Sequence, residues 1–239
     1  MARVSVAMAT YNGQKFISEQ IESILCQLGD DDELIISDDG SADATPEIVR
    51  SYAAKDGRIK LIRGPRGGVV KNFENAIMHC SGEYIFLSDQ DDKWYNGKIE
   101  KVLGYLSEYS LVCHNADIYD QQSGKITGTT QQQFGARQGV FSNIIKNCFI
   151  GCCMAFKREL IKYVIPFPSE HEIHVHDWWI GLIASKYASV KFISDKLMLY
   201  RIHGNNALGM NKTSAAFKIK KRLNMIKALI KYKPHIKQS

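Results

Sequence analysis

Residues 84–92 read YIFLSDQDD: an apolar run that stops at Ser88 and gives way to Asp89, Gln90, Asp91 and Asp92. A short apolar run closed by polar residues predicts a buried strand over 84–88. Three carboxylates at the end of a strand repel one another unless a cation sits among them. Their hard oxygens suit Mg²⁺ or Mn²⁺, and such an ion can grip the pyrophosphate of a nucleotide. A solvated acidic turn is the competing reading. The position of the cluster, level with two other polar strand ends, weighs against it.

Those two ends lie upstream. Residues 3–9, RVSVAMA, predict a strand broken by Thr10-Tyr11-Asn12-Gly13, and residues 33–37, ELIIS, predict one ending at Asp38-Asp39-Gly40-Ser41. Between them, residues 14–27 place Phe16, Ile17, Ile21, Ile24 and Leu25 at helical spacing. A second helix is expected from Asp43 to Ala54, with Pro46 tolerable in its first turn. A strand over 58–63, a loop over 64–68 and a helix over 69–79 complete the series. This alternation predicts right-handed βαβ units, hence an α/β fold with a Rossmann-like, mostly parallel sheet flanked by helices. In such sheets ligands sit at the carboxyl ends of the strands, where the three polar clusters converge.

Beyond residue 110 the alternation weakens. LVCHNADIYD (111–120) predicts a strand, residues 121–138 a flexible loop rich in Gln, Gly and Thr, and NCFIGCCMAF (147–156) another buried strand. A helix is expected from Asp177 to Ala188, and KFISDKLMLYRIHG (191–204) ends the core. The 239 residues are 45% hydrophobic and 23% charged, the balance of a folded domain that needs no disulfides. Six cysteines without a C-x-x-C pair argue against a zinc ribbon and for buried thiols in a reducing cytoplasm. The start of the chain is too short for a membrane span and lacks a signal-peptide layout. The net charge of +6 is uneven: residues 211–239 hold nine Lys/Arg and no acid, leaving 22 basic against 25 acidic residues elsewhere.

Further residues carry chemistry. Asp38 and Asp39 can accept hydrogen bonds from a ribose or a base N–H, although a helix cap by Ser41 or Asp43 fits the same residues. Asp177 stands beside Trp178 and Trp179. Apolar neighbours raise a carboxylate's pKa and prepare it as a general base, and indole faces stack on sugar rings. A core tryptophan pair with Asp177 as cap is the alternative. In Tyr200-Arg201-Ile202-His203-Gly204-Asn205-Asn206, Arg201 and His203 could neutralise the phosphates of a departing nucleotide.

With these clusters in this order, residues 3–206 resemble glycosyltransferase family 2, of the inverting GT-A fold. VSVAMATYNGQKFISEQIESILCQ resembles its first strand and helix, ELIISDDGSADAT its nucleotide-binding segment and FLSDQDDKW its D-x-D metal motif. HDWW and YRIHGNN resemble later signatures of a bacterial, rhamnosyltransferase-like subgroup. The resemblance implies roles. Thr10, Tyr11 and Asn12 with Asp38 and Asp39 would hold base and ribose, and Asp89 would approach the ribose. Asp91, Asp92 and His203 would bind Mn²⁺ or Mg²⁺, with Arg201 and His203 near the diphosphate. Asp177 would be the catalytic base, and Trp178 and Trp179 would line the acceptor side. One departure is His176, where many relatives carry Glu. The expected donor is a dTDP- or UDP-sugar, dTDP-L-rhamnose first, and the acceptor a carbohydrate or lipid-linked oligosaccharide; no nucleic-acid partner is expected.

The expected organisation is a transferase domain over 1–210, with a nucleotide-sugar half (1–110) and an acceptor half (111–210), followed by a basic amphipathic helical tail (211–239). The tail either lies on an anionic membrane, peripheral on the inner face of the cell membrane, or packs its apolar side on the core. Two rival readings remain. A nucleotidyltransferase would want a Gly-rich, basic phosphate loop after the first strand, which Thr10-Tyr11-Asn12-Gly13 does not supply. A non-catalytic nucleotide-sugar-binding module would have no use for Asp177.

Overall fold

The computed structural model describes residues 3–169, 172–204 and 214–233. Asn205 and Asn206 of the last motif, and the start and end of the tail, lie outside the described residues. Four strands of the first half follow the expected order: β1 (Val4–Thr10), β2 (Glu33–Asp38), β3 (Ile59–Arg63) and β4 (Tyr84–Ser88). They pair in parallel as β3-β2-β1-β4, and β1 and β2 are buried along their whole length. Strands covered on both faces read as continuous apolar runs, which is why the sequence displays them clearly. Helices α1 (Ile17–Leu25), α2 (Thr45–Ala53) and α3 (Gly68–His79) make the crossovers.

The second half mixes directions: β6 and β9 run with the first four strands, and β8 runs against them. After β5 (Lys93–Trp94), helix α4 (Lys98–Leu106) leads into the long β6 (Leu111–Asp120). The segment over 121–138 is more ordered than its composition suggests. It contains β7 (Lys125–Thr129), paired antiparallel with β6, and the short helix α5 (Thr130–Phe134). Thr129 and Gln132 open that helix with a reciprocal capping box, each side chain bonding the other's backbone. Helix α6 (Val140–Ile145) follows. The expected strand over 147–156 is shorter than its apolar run. A 3₁₀ turn at Gly151–Cys153 precedes β8 (Met154–Lys157), which pairs antiparallel with both β4 and β6. The short α7 (Ile161–Val164), then α8 (His176–Tyr187) and β9 (Val190–Ile202), complete the nine-stranded sheet in the order β3-β2-β1-β4-β8-β6-β9-β5, with β7 beside β6.

These directions place the site. Because β8 runs against β4, its leading turn at Gly151 and Cys152 lies beside the carboxyl end of β4. Strand β9 runs parallel to β6 and pairs through Met198 and Leu199 with β5, so its far end returns to the Asp91–Asp92 corner. Helix α9 (Ala215–Lys231) buries Met225, Ala228 and Leu229 against the body. Among the described residues no helix is long and apolar enough to cross a membrane.

Candidate active site

The three polar strand ends are knitted together. Gln90 accepts from Tyr11 N at 2.8 Å and returns a bond from Nε2 to Tyr11 O at 3.0 Å, while Thr10 Oγ1 also donates to its amide oxygen. Gly13 faces the same amide: a Cβ there would lie 2.3 Å from Gln90 Oε1, so only glycine permits the approach. Asn72, buried on α3, donates to the carbonyls of Thr10 and Ser37 and pins β1 to β2. Gln90, the unassigned middle of the D-x-D motif, is therefore the residue that joins the first and third clusters.

The acids of the second cluster hold backbone. Asp38 accepts from Gly40 N, Ser41 N and Ser41 Oγ, which folds the turn after β2. Asp39 accepts from Gly67 N and Gly68 N at 3.3 and 2.8 Å and so satisfies the first turn of α3. Asn12 has positive φ, a conformation asparagine tolerates, and ties its loop to Ser41 and Ala42. The Tyr11 ring is 56% exposed and stands free to cover a planar base.

At the end of β4 the carboxylates crowd. Burial, then the charges of Asp91 and Asp177, push Asp89 up to about 7. Asp92 is buried and rises well above the usual carboxylate range through burial, then repulsion from Asp91 and Asp89. Its Oδ1 accepts from Arg201 N at 3.1 Å, and its Oδ2 has no partner among the described atoms. Asp91 Oδ2 lies 2.8 Å from His203 Nε2, and the imidazole stacks on Phe16. One ligand atom each of Asp89, Asp92 and Cys152 lie within 4.8 Å of one another. A crowd of acids with one orphaned buried oxygen and a facing imidazole matches the donor set of a divalent cation. Beneath it the buried Lys98 donates to Cys152 O at 3.0 Å and stands 3.8 Å over the Trp94 ring. Burial lowers its pKa to about 8, against the pull of Asp92.

Asp177 sits in the first turn of α8. Burial pushes its carboxyl up to about 6, against hydrogen bonds from Trp178 N and, at 3.1 Å, Gly151 N. Gly151, which Asp177 holds, precedes Cys152, whose sulfur lies within 4.8 Å of ligand oxygens of Asp89 and Asp92, so the folded chain brings these acids to one corner. His176 is stacked on Phe73 at 3.8 Å and is held neutral by burial, its pKa lowered to about 3. A Cβ on Gly151 would lie 2.6 Å from His176 Nε2, so this glycine lets the imidazole and the Asp177 anchor share one spot. Gly151 was hidden in an apolar run and gave no signal of this role.

One expectation needs correction. Trp179 is fully buried and donates to Val164 O at 2.9 Å, and Trp178, 7% exposed, donates to Asn143 O at 2.9 Å. Neither indole offers a face to an acceptor, because α8 is covered all round at this level and both rings fill core. Trp179→Ala is expected to destabilise the protein by ~3–5 kcal/mol in urea unfolding, with donor affinity of the folded fraction unchanged. Arg201 is held by several partners. Its guanidinium donates to Glu19 at 2.6 Å, Gln121 at 3.0 Å and the Asp91 carbonyl at 2.9 Å. It thus clamps α1 to the acidic corner at the end of β4.

A family profile described as Glycosyl transferase family 2 matches residues 5–165. The dTDP-rhamnosyl transferase RfbG of Shigella flexneri is 32% identical over 92% of this chain and 79% of its own. The Escherichia coli UDP-Glc:alpha-D-GlcNAc-diphosphoundecaprenol beta-1,3-glucosyltransferase WfgD is 30% identical over 80% of this chain and 73% of its own. Among solved structures, Staphylococcus aureus TarS 1–349 with UDP-GlcNAc superposes with a TM-score of 0.70 at 19% identity, over 100% of this chain and 68% of that one. The Pyrobaculum calidifontis mannosyltransferase PcManGT with GDP-Man and Mn²⁺ gives 0.69 at 21% identity, over 98% and 66%. These two likenesses establish the GT-A fold. On its profile match and its kinship with RfbG, the chain belongs to glycosyltransferase family 2.

Proposed function

We propose that the protein is an inverting, divalent-metal-dependent glycosyltransferase that moves a hexose from a nucleotide sugar to a hydroxyl of a growing cell-surface polysaccharide or lipid-linked oligosaccharide. The observation that carries this reading is Asp177: a buried carboxyl raised to about 6, beside the acid corner that ends β4. A base of that pKa is ionised at neutral pH and still strong enough to take a proton. Its backbone anchors at Gly151 and Trp178 fix its direction.

In the proposed reaction Asp177 takes the proton of the acceptor hydroxyl. The freed oxygen forms a bond to the anomeric carbon from the face opposite the nucleotide, and the bond from that carbon to the diphosphate breaks. The nucleoside diphosphate leaves with both electrons, and the anomeric configuration inverts. Tyr11, Asp39 and Asp89 hold the base and ribose, with Thr10, Asn12 and Asp38 shaping their loops. Asp91 and His203, helped by Asp92, would hold the cation, which when bound supplies charge neutralisation for the leaving diphosphate. Residues 1–110 serve the donor and 111–210 the acceptor. With Asp91 and Asp92 assigned to the cation and Asp89 to the ribose, the proton-accepting role falls to Asp177, which forms no ion pair among the described residues.

RfbG favours dTDP-L-rhamnose as the donor, and WfgD keeps a UDP-hexose as the alternative. The PcManGT complex supports Mn²⁺. A cytoplasmic location agrees with the five buried, reduced cysteines. The test is nucleoside diphosphate release from dTDP-rhamnose, UDP-glucose and UDP-galactose with Mn²⁺ and a polyprenyl-diphosphate sugar acceptor. Acceptor-dependent release of dTDP above UDP is expected. Equal, acceptor-independent hydrolysis of all donors would remove both the donor assignment and the transfer reaction.

A further inference from the structure

Helix α9 carries two apolar faces. One is covered: Met225, Ala228 and Leu229 are buried, and Tyr232 just beyond the helix meets Trp179 edge-on with ring centroids 4.8 Å apart. The other is bare. Ile219, Leu223 and Ile230 are 55%, 51% and 76% exposed, and with the half-buried Ile226 they form a single stripe along the helix. Phe141 and Ile145 on α6 are 78% and 53% exposed. Arg222, three residues after Ile219 and four before Ile226 on the helix, donates twice to the Ile145 carbonyl, at 3.0 and 2.7 Å. The apolar tip of α6 therefore lies beside the stripe.

Charge selects the occupant. Residues 214–233 contain no acid, and Lys220 and Lys227 border the stripe on one side while Lys218 and Arg222 border it on the other. A second copy of the chain meeting this face about a two-fold axis would set lysine against lysine. An anionic bilayer accepts both parts at once: isoleucine and leucine enter the headgroup–acyl boundary, and the ammonium groups meet lipid phosphates. We propose that this face of α9, with Phe141 and Ile145 of α6, docks the protein on an anionic lipid surface.

The placement also fits the site. The Asn143 carbonyl of α6 accepts the Trp178 indole N–H, one residue from Asp177. The docked face is thus one short helix from the proposed base, on the side served by α6 and α8.

The experiment is co-sedimentation of the full chain with vesicles of phosphatidylcholine alone and of equal parts phosphatidylcholine and phosphatidylglycerol. Binding is expected only to the anionic vesicles, and weakened by salt. The Leu223→Asp/Ile230→Asp variant should bind them at least ~10-fold more weakly, and Lys220→Gln/Lys227→Gln should show a smaller loss. Both should keep the wild-type circular dichroism and melting temperature, since none of these side chains is buried. Equal binding by wild type and the aspartate variant would overturn the proposal. So would absence of vesicle binding by a wild type that light scattering shows as a dimer split by Leu223→Asp.

Discussion

Asp177→Asn is expected to lower kcat by ~10²–10⁴-fold while leaving the affinity for the donor nucleotide within a few-fold of wild type. Asparagine keeps the shape and can still accept from Gly151 N, so the site stays assembled and only proton acceptance is lost. The wild-type pH profile supplies a second signature. The carboxyl's value of about 6 means that it is protonated, and inactive as a base, below that pH. The rate should climb through pH 6 and level off above it, and the variant should lack this limb. Stability should move the other way. A carboxyl whose folded pKa is raised favours the folded state only while protonated, so its ionisation erodes stability as pH rises through about 6. By the shift from an ordinary aspartate, the variant should gain up to ~3 kcal/mol at pH 8 and little at pH 4. A variant that transfers sugar at near the wild-type rate removes Asp177 from the reaction.

Asp91→Ala should abolish the Mn²⁺-dependent part of nucleoside diphosphate binding, a loss of at least ~10-fold in calorimetric Kd, or ~1.4 kcal/mol. The same substitution should not weaken the metal-free protein. Asp91 repels both Asp89 and Asp92, so its removal relieves the corner, and the melting temperature without metal should hold or rise. Wild type should melt higher when Mn²⁺ and dTDP or UDP are added together, by the mass-action term of ligand binding. The variant should not respond. An unchanged response would place the cation, if one binds, away from His203 and Asp91.

What the chain disclosed before folding was uneven, and the reasons are physical. Strands β1, β2 and β4 are buried on both sides, so their residues form unbroken apolar runs with polar ends. Their convergence followed from the parallel alternation alone. Helix α4 does carry a helical signal, with Ile99, Val102 and Leu106 on one face; what its sequence hides is Lys98, a lysine buried under the acid corner instead of facing water. The capping box of Thr129 and Gln132 was written in a segment whose Gln, Gly and Thr suggested a loop. Trp178 and Trp179 were misplaced for a different reason: side chains adjacent on a helix point apart, and only the neighbouring elements decide whether each meets solvent or core. Here α6 and α7 cover them. Gln90, Gly151 and Glu19 act through partners far off in sequence, which no local spacing announces.

The reversal between β4 and β8 has a mechanical consequence. Three residue pairs, Tyr84–Phe86 against Ala155–Lys157, join those neighbouring strands, and side chains brace the seam beyond them: Phe167 N donates to Glu74, and Arg201 reaches back to Glu19. Cross-braced in this way, the earlier and later strands should come apart together, in a single cooperative transition on heating or in denaturant.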